Sequence, residues 1–122
     1  MKLHVQVVED VDVLTPHGVL SGERQTDEIQ QKVKELDQEG RTKLLINLGN
    51  TTMMNSLGLG VLFVAHATYA KRGATVKLCC IEKKLHQIFV IMKLTLVYGD
   101  NLHDTEEEAL ASFRSMEAAP IR

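Results

Sequence analysis

The sequence predicts one α/β domain whose mixed, mostly parallel sheet has about five strands and about four helices. Short apolar runs bounded by turn residues alternate along the chain with segments that show helical periodicity. Strands that alternate with helices imply right-handed crossovers and therefore mainly parallel pairing. The chain has 122 residues, which suits a single domain over residues 1–122.

The first two strands are predicted from apolar residues at alternate positions. Alternation runs from residue 3 to residue 7, and the extended pattern resumes from residue 11 to residue 14. These two strands are expected to pair as neighbours. Pro16 and Gly18 predict a break or a bulge after them, because proline cannot donate a hydrogen bond within a sheet.

A polar helix and then the most apolar strand come next. Apolar side chains recur at i, i+4 and i+7 in the helix predicted from about Arg24 to Glu39, which buries a narrow stripe. Leu44 to Ile46 is an unbroken apolar run, typical of a strand that is buried on both faces of a parallel sheet. Residues 49–56 are predicted to form a turn region before the second helix.

The second helix is predicted from the long apolar segment 61–70 and is expected to be covered on most of its surface. Asn55 or Ser56 can cap its N-terminus. Gly58 and Gly60 fall in its first turn, where glycine weakens a helix by about 0.5–1 kcal/mol per site relative to alanine. Two such costs in one turn indicate that something needs close access to the backbone there.

Two adjacent cysteines lie in the next predicted strand, from residue 74 to residue 81. Strict alternation places Cys80 on the same face as Val76 and Leu78, with Cys79 on the opposite face. A vicinal pair is a poor structural disulfide, so a reducing cytoplasm is the simple interpretation.

The C-terminal part is predicted to contain a helix from about Glu82, a strand from residue 94 to residue 98 and a last helix. Thr105 and Glu108 form a capping box that opens this last helix. Residues 117–122 are expected to fray.

Composition and spacing argue against several classes of function. The net charge of −2 does not favour nucleic acid, and no apolar run reaches the roughly 20 residues of a membrane span. The five histidines and two cysteines lack metal-ligand spacing. Gly58 and Gly60 begin a dinucleotide fingerprint, but Phe63 stands where its third glycine is needed. We therefore expect no enzyme, no metal and no cofactor.

The central segment 44–60, LLINLGNTTMMNSLGLG, resembles the central motif of STAS domains, the family of bacterial anti-sigma-factor antagonists. In that family the hexapeptide Asp-Ser-Ser-Gly-Leu-Gly begins the helix after the central strand, and its second serine is the phosphorylation site. Ser56, Gly58, Leu59 and Gly60 match this hexapeptide. The resemblance implies a STAS-like single domain.

The sequence departs from the family pattern at three positions. Asn47 and Asn55 stand where the family usually has acids, and Leu57 stands where it has the acceptor serine. Outside the motif, residues 96–98 and 104–110 resemble the last strand and the last helix of the family. The resemblance thus extends over nearly the whole chain.

The resemblance implies a partner and a switch. In the family, the loop and helix start dock against an anti-sigma factor that is also a serine kinase of the histidine-kinase-like ATPase type, and phosphate on the acceptor serine disrupts that interface. Leu57 has no hydroxyl, so the usual switch cannot operate at this position. Ser56, Thr51 and Thr52 remain as alternative acceptors, and Ser56 is the nearest. The function predicted is regulation of transcription by protein–protein binding.

The predicted docking surface is the helix start with the loop before it. Met53, Leu57 and Leu59 are expected to supply apolar contacts, since methionine is flexible and polarizable. Met54 is expected to point into the core, because adjacent methionines cannot easily both point inward. The predicted partner-binding residues are Met53, Asn55, Ser56, Leu57, Gly58, Leu59 and Gly60.

Two alternatives stay open. In the first, the domain is a regulatory or scaffold subunit of a stress-signalling complex or a transporter, as other STAS domains are. Otherwise, it is a module that holds an anion or a nucleotide at the N-terminus of the second helix. A homodimer is compatible with each of these functions.

Overall fold

The computed structural model describes residues 2–21 and 23–117. Its elements in chain order are β1 (Lys2–Val8), β2 (Val11–Leu20), α1 (Glu23–Gln38), β3 (Lys43–Asn47), β4 (Thr51–Met54), α2 (Ser56–Ala70), β5 (Thr75–Cys79), α3 (Lys83–Ile91), α4 (Leu94–Tyr98), a 3₁₀ turn (Gly99–Asn101), β6 (Leu102–His103) and α5 (Glu106–Glu117). The tail predicted to fray lies outside the described residues, except for Glu117 at the end of α5.

The described strands form one six-stranded sheet, which confirms the predicted mixed, mostly parallel α/β fold. Its order is β1-β2-β3-β5-β6, and β4 pairs separately with the end of β2. Only β1 runs antiparallel to its neighbour among these strands. The register of β2 shifts between Gly18 and Val19, so the predicted bulge is confirmed, although Pro16 does not end the strand.

Two predicted elements are wrong. The segment from Leu94 to Tyr98 is the helix α4, and the strand that pairs with β5 is β6. Leu94 and Tyr98 are buried four residues apart on one helical face, and the Tyr98 hydroxyl donates to the Leu62 carbonyl at 2.7 Å. A five-residue apolar run fits a strand or a helix equally, so packing under α2 decided its conformation. Residues 51–54, predicted as turn, form β4.

The helices cover the two faces of the sheet unequally. One core cluster joins the sheet to buried residues of α1, α2, α3 and α4, whereas the other joins it to α5. Leu44 and Ile46 face the first cluster and Leu45 the second, so the central strand is buried on both faces as predicted. The predicted cap of α5 is also confirmed, because the Glu108 N–H donates to Thr105 Oγ1 at 3.1 Å.

Parallel pairing directs the ends of β2 to β6 toward a common edge, here called the carboxyl edge, which carries Asn47, Met54, Cys79 and His103. The opposite, amino edge carries Asp12, Lys43 and Thr75. Helix α2 begins at the carboxyl edge, directly after β4. The motif residues are therefore grouped at the edge where ligands of open α/β sheets usually bind.

Candidate functional site

Asn55, not Ser56, caps α2. Asn55 Oδ1 accepts hydrogen bonds from the N–H groups of Leu57 at 3.0 Å and Gly58 at 3.2 Å. Asn55 Nδ2 donates to the carbonyl of Ser21 at 2.8 Å. The side chain therefore satisfies two free N–H groups of the helix and also ties the helix start to the end of β2.

Apolar side chains are exposed around this cap. Met53 is 59% exposed, Leu57 is 46% exposed, and Val19 is 43% exposed. Val19 lies opposite Met53 in the pairing of β2 with β4. We call Val19, Met53, Ser56 and Leu57 the docking face, since all four are exposed at the start of α2 or on the strands before it.

Leu59 and Gly58 do not belong to this surface. Leu59 is 3% exposed and packs in the core, so its side chain offers almost no surface to a partner in this conformation. A Cβ at Gly58 would lie 2.5 Å from the Leu20 carbonyl oxygen and 2.8 Å from Met54 Cγ. The two glycines in the first turn indicated that something lies close to the backbone there. At Gly58 the close neighbours are the protein's own Leu20 carbonyl and Met54 side chain. Around Gly60 there is nothing within 4 Å of such a Cβ.

The other polar residues of the loop differ in access. Thr51 is buried, and its hydroxyl donates to the Pro16 carbonyl at 3.3 Å, so a kinase cannot reach it in this conformation. Thr52 and Ser56 are exposed. Met54 is buried, as predicted from its neighbour Met53.

Asn47 joins three segments at the carboxyl edge. Its Oδ1 accepts from the Gly49 N–H at 2.8 Å, and its Nδ2 donates to Glu106 Oε1 at 3.0 Å. A carboxylate at position 47 could not donate and would be repelled by Glu106. Asn55 likewise uses both ends of its amide. Each asparagine therefore makes one donor bond, to Glu106 or to Ser21, that an acid at its position could not make.

The sequence did not indicate that a polar group is buried beneath α5. Lys77 is buried, its Nζ donates to Asn101 Oδ1 at 2.7 Å, and it lies 5.1 Å from the centre of the Phe113 ring. Burial lowers the pKa of Lys77. His103 Nε2 nearby is buried without a hydrogen-bond partner among the described residues. Alternation in β5 places Lys77 on the face opposite Val76 and Leu78, but it does not indicate that α5 covers that face.

Within residues 2–21 and 23–117, no group of three or more His, Cys, Asp or Glu side chains could hold a metal ion. None of the helices in these ranges combines the length and hydropathy needed to span a bilayer.

Known proteins are similar to this chain in sequence pattern and in fold. The family model of the STAS domain matches residues 2–109. The curated proteins include no match to this sequence. A solved structure from Thermotoga maritima, described as a candidate anti-sigma factor antagonist, is similar with a TM-score of 0.84 and 21% identity, over 92% of this chain and 94% of its own.

Two further solved structures are similar. The anti-sigma factor antagonist SpoIIAA of Bacillus, in its unphosphorylated form, has a TM-score of 0.74 and 20% identity over 93% of this chain and 98% of its own. A sulfate transporter family protein from Wolinella succinogenes has a TM-score of 0.76 and 14% identity over 93% of each chain. At these identities the likeness shows the fold alone.

Proposed function

Because this chain belongs to the STAS domain family, we propose that it acts by binding another protein through the docking face, as an anti-sigma-factor antagonist in the bacterial cytoplasm. The observation that carries this proposal is the exposure of Met53 and Leu57 beside a well-anchored helix cap. Because the backbone is already fixed, only side-chain freedom is lost when a partner covers these residues, and the burial of their apolar area offsets that cost.

The proposed partner is an anti-sigma factor that is also a serine kinase of the histidine-kinase-like ATPase type. Similar solved structures support this choice, since they include an anti-sigma factor antagonist in unphosphorylated and phosphorylated forms. The proposed outcome is release of a sigma factor and thereby regulation of transcription. The domain itself catalyses no reaction in this proposal.

Binding is proposed to be constitutive with respect to phosphate at position 57. A phosphate adds about −1.5 to −2 charges, which an apolar interface can bury only at a large cost. Leu57 cannot carry this group, and its exposed side chain instead adds apolar area to the docking face. Ser56 is exposed in the same turn and is the alternative acceptor.

The binding proposal is tested with two charged substitutions. Met53→Lys and Leu57→Asp should each weaken binding to the anti-sigma-factor kinases of the same genome by about 100-fold or more, because a charge would be buried without a partner. Isothermal titration calorimetry measures the affinity, and thermal unfolding checks that the variants fold.

A matched control is available on another surface. Leu96 is 77% exposed on α4, so Leu96→Asp introduces the same negative charge as Leu57→Asp, but outside the docking face. Affinity for the kinase should be unchanged in this control. Binding that survives Met53→Lys and Leu57→Asp would refute the proposed docking face.

Phosphorylation is tested with the same kinase and radiolabelled ATP. Wild-type protein should remain unlabelled, whereas Leu57→Ser should acquire label. Ser56→Ala is the control that separates the two positions. Label on wild-type protein that disappears in Ser56→Ala would show that Ser56 has taken over the switch, and constitutive binding would be wrong.

A second candidate function is regulation of a membrane transporter. The similarity to a sulfate transporter family protein supports it. Co-purification with a transporter and not with a kinase, after expression of a tagged chain in its host, would favour this function over the first.

The third alternative, an anion or nucleotide site at the start of α2, receives no support from the cap. Asn55 Oδ1 already occupies the N–H groups of Leu57 and Gly58 that would bind the anion. A thermal-shift screen with nucleotides and phosphate should therefore give no concentration-dependent rise in melting temperature.

A further inference from the structure

The two cysteines bring their thiols together at the end of β5. Cys80 Sγ lies 3.6 Å from Cys79 Sγ, and both cysteines are free. Cys79 is fully buried, whereas Cys80 is partly exposed. Both pack on the side of the sheet that α5 covers, so the prediction from alternation that Cys80 shares a face with Val76 and Leu78 is wrong.

The backbone at Cys80 causes this arrangement. Its φ is +64°, in the left-handed region that residues other than glycine, asparagine and aspartate seldom adopt. In an extended strand the two side chains would point to opposite faces. The left-handed turn returns the Cys80 side chain to the face of Cys79. Strained conformations of this kind persist where the surrounding structure holds them, and they are common at functional sites.

Hydrogen bonds on both sides hold the peptide group between the cysteines. Its carbonyl, from Cys79, accepts from the Leu48 N–H at 3.0 Å, and its N–H, from Cys80, donates to the His103 carbonyl at 3.2 Å. One peptide group therefore connects the start of the β3–β4 turn to β6 at the carboxyl edge.

We propose that Cys79 and Cys80 form a redox-active dithiol, which a low-molecular-weight disulfide of the glutathione class converts reversibly into a vicinal disulfide. In the first step the Cys80 sulfur attacks the small disulfide, forms a mixed disulfide and releases one small thiol. In the second step the Cys79 sulfur attacks the Cys80 sulfur and releases the second small thiol. Two cysteine thiols are oxidised, one small disulfide is reduced to two thiols, and the cysteine protons end on the released thiols.

Access decides which cysteine reacts first. Cys80 is partly exposed, so a small disulfide can approach its sulfur, whereas Cys79 has no exposed surface. Burial also raises the pKa of the Cys79 thiol, so its attack on the mixed disulfide depends on the 3.6 Å separation of the two sulfurs and not on a large thiolate fraction. Cys79 therefore reacts only with the sulfur already placed beside it.

Ring closure has a structural consequence. A disulfide between adjacent residues forms a small ring that includes their peptide bond and forces it away from its relaxed planar geometry. The hydrogen bonds of this peptide group to Leu48 and His103 should then weaken. The strain also makes the disulfide easy to reduce, as suits a reversible modification. This chemistry stands whether or not the docking face binds a kinase.

The test uses the purified full chain and excess oxidised glutathione, followed by acid quenching, alkylation and intact-mass measurement. Wild-type protein should lose both titratable thiols without keeping an adduct, and dithiothreitol should restore both. Cys79→Ser should stop at one glutathione adduct, because its resolving thiol is missing. Cys80→Ser should stay unmodified, because its remaining thiol is buried.

Three results would overturn the proposal. The first is a glutathione adduct that persists on wild-type protein, and the second is a disulfide-linked dimer. The third is wild-type protein that keeps both thiols under conditions in which Cys79→Ser is modified. A second measurement needs no variant: phenylarsine oxide should bind wild-type protein one to one and protect both thiols from alkylation. Failure of the arsenical to protect them would show that the thiols do not act as a pair.

Amide hydrogen exchange tests the structural consequence. Exchange at Leu48 and Cys80 should be faster in the oxidised protein than in the reduced protein, because their hydrogen bonds share the twisted peptide group. Exchange at Leu62, in the middle of α2, is the internal control and should not change. Equal protection at Leu48 and Cys80 in the two forms would contradict the expected twist.

Discussion

The two edges of the sheet are built from different chemistry. At the amino edge, Arg41 Nε donates to the buried carboxylate of Asp12 at 2.8 Å. Arg72, just after α2, pairs with Asp37 near the end of α1. At the carboxyl edge, by contrast, the neutral amides of Asn47 and Asn55 make the corresponding connections.

Under the proposed function, this difference separates the contacts that stabilise the domain from the face that binds a partner. At the amino edge, ion pairs join the segment after α1 to β2 and the ends of α1 and α2 to each other, and removing Arg41 would leave the buried Asp12 carboxylate without compensation. The carboxyl edge is connected by amides, and Met53 and Leu57 lie exposed beside the neutral side chain of Asn55. A partner that covers them has fewer charges to desolvate there. Four substitutions test this division, beginning with the largest expected effect.

Arg41→Met should have the largest effect on stability. It leaves the buried carboxylate of Asp12 without its guanidinium, and because Arg41 is itself partly exposed we expect a loss of about 2–4 kcal/mol in the free energy of unfolding. Urea unfolding measures the loss. Lys32→Met, which breaks the partly exposed pair with Glu35, is the control and should cost at most about 0.5 kcal/mol. Equal losses in both variants would contradict the special role of the amino edge.

Gly58→Ala should be next. Its Cβ would meet the backbone of Leu20 at 2.5 Å, so we expect a loss of about 1–3 kcal/mol from overpacking. Gly60→Ala, two residues further in the same turn, has open space and should gain about 0.5–1 kcal/mol from helix propensity. Thermal unfolding of both variants measures whether each substitution lowers or raises stability. A stabilising Gly58→Ala would show that the helix start can move away from β2.

Asn47→Asp tests the neutral connection at the carboxyl edge. It removes the donor to Glu106 and places two carboxylates together, so we expect a loss of about 1–2 kcal/mol. Adding Glu106→Gln should restore most of that loss, because glutamine can donate to the new aspartate. A double-mutant cycle measures the coupling. If Glu106→Gln fails to rescue Asn47→Asp, the hydrogen bond to Glu106 is not the reason why aspartate at position 47 is unfavourable.

His103 should give the smallest effect, visible only as a change with pH. Burial and the nearby positive charge of Lys77 lower the pKa of His103. The unfolded chain therefore binds more protons as the pH falls through the usual histidine range, so the free energy of unfolding decreases on acidification. His103→Gln should reduce that decrease between about pH 7.5 and about pH 5.5 in urea unfolding.

The matched control for this pH experiment is His86→Gln, on the exposed side of α3. It should keep the pH dependence of the wild-type protein. A His103→Gln variant that behaves like this control would show that the partly buried imidazole does not contribute to acid sensitivity.

Periodicity and end signals in the sequence were sufficient for most of the fold. The unbroken apolar run at Leu44–Ile46 predicted a doubly buried strand, and Asn55 was one of two predicted caps of α2. The short run from residue 94 to residue 98 failed as a prediction, because five apolar residues do not distinguish a strand from a helix. Its conformation depends on Leu62, a residue 36 positions before Tyr98.

By itself, the sequence determined the α/β class, the STAS resemblance and the absence of a hydroxyl at Leu57, since these depend on local pattern and residue identity. Only the tertiary structure decided that Leu59 lies in the core, that Val19 is exposed beside Met53 and that Cys80 turns toward Cys79. The physical reason is that burial and left-handed backbone angles come from contacts between distant segments, which no local spacing records.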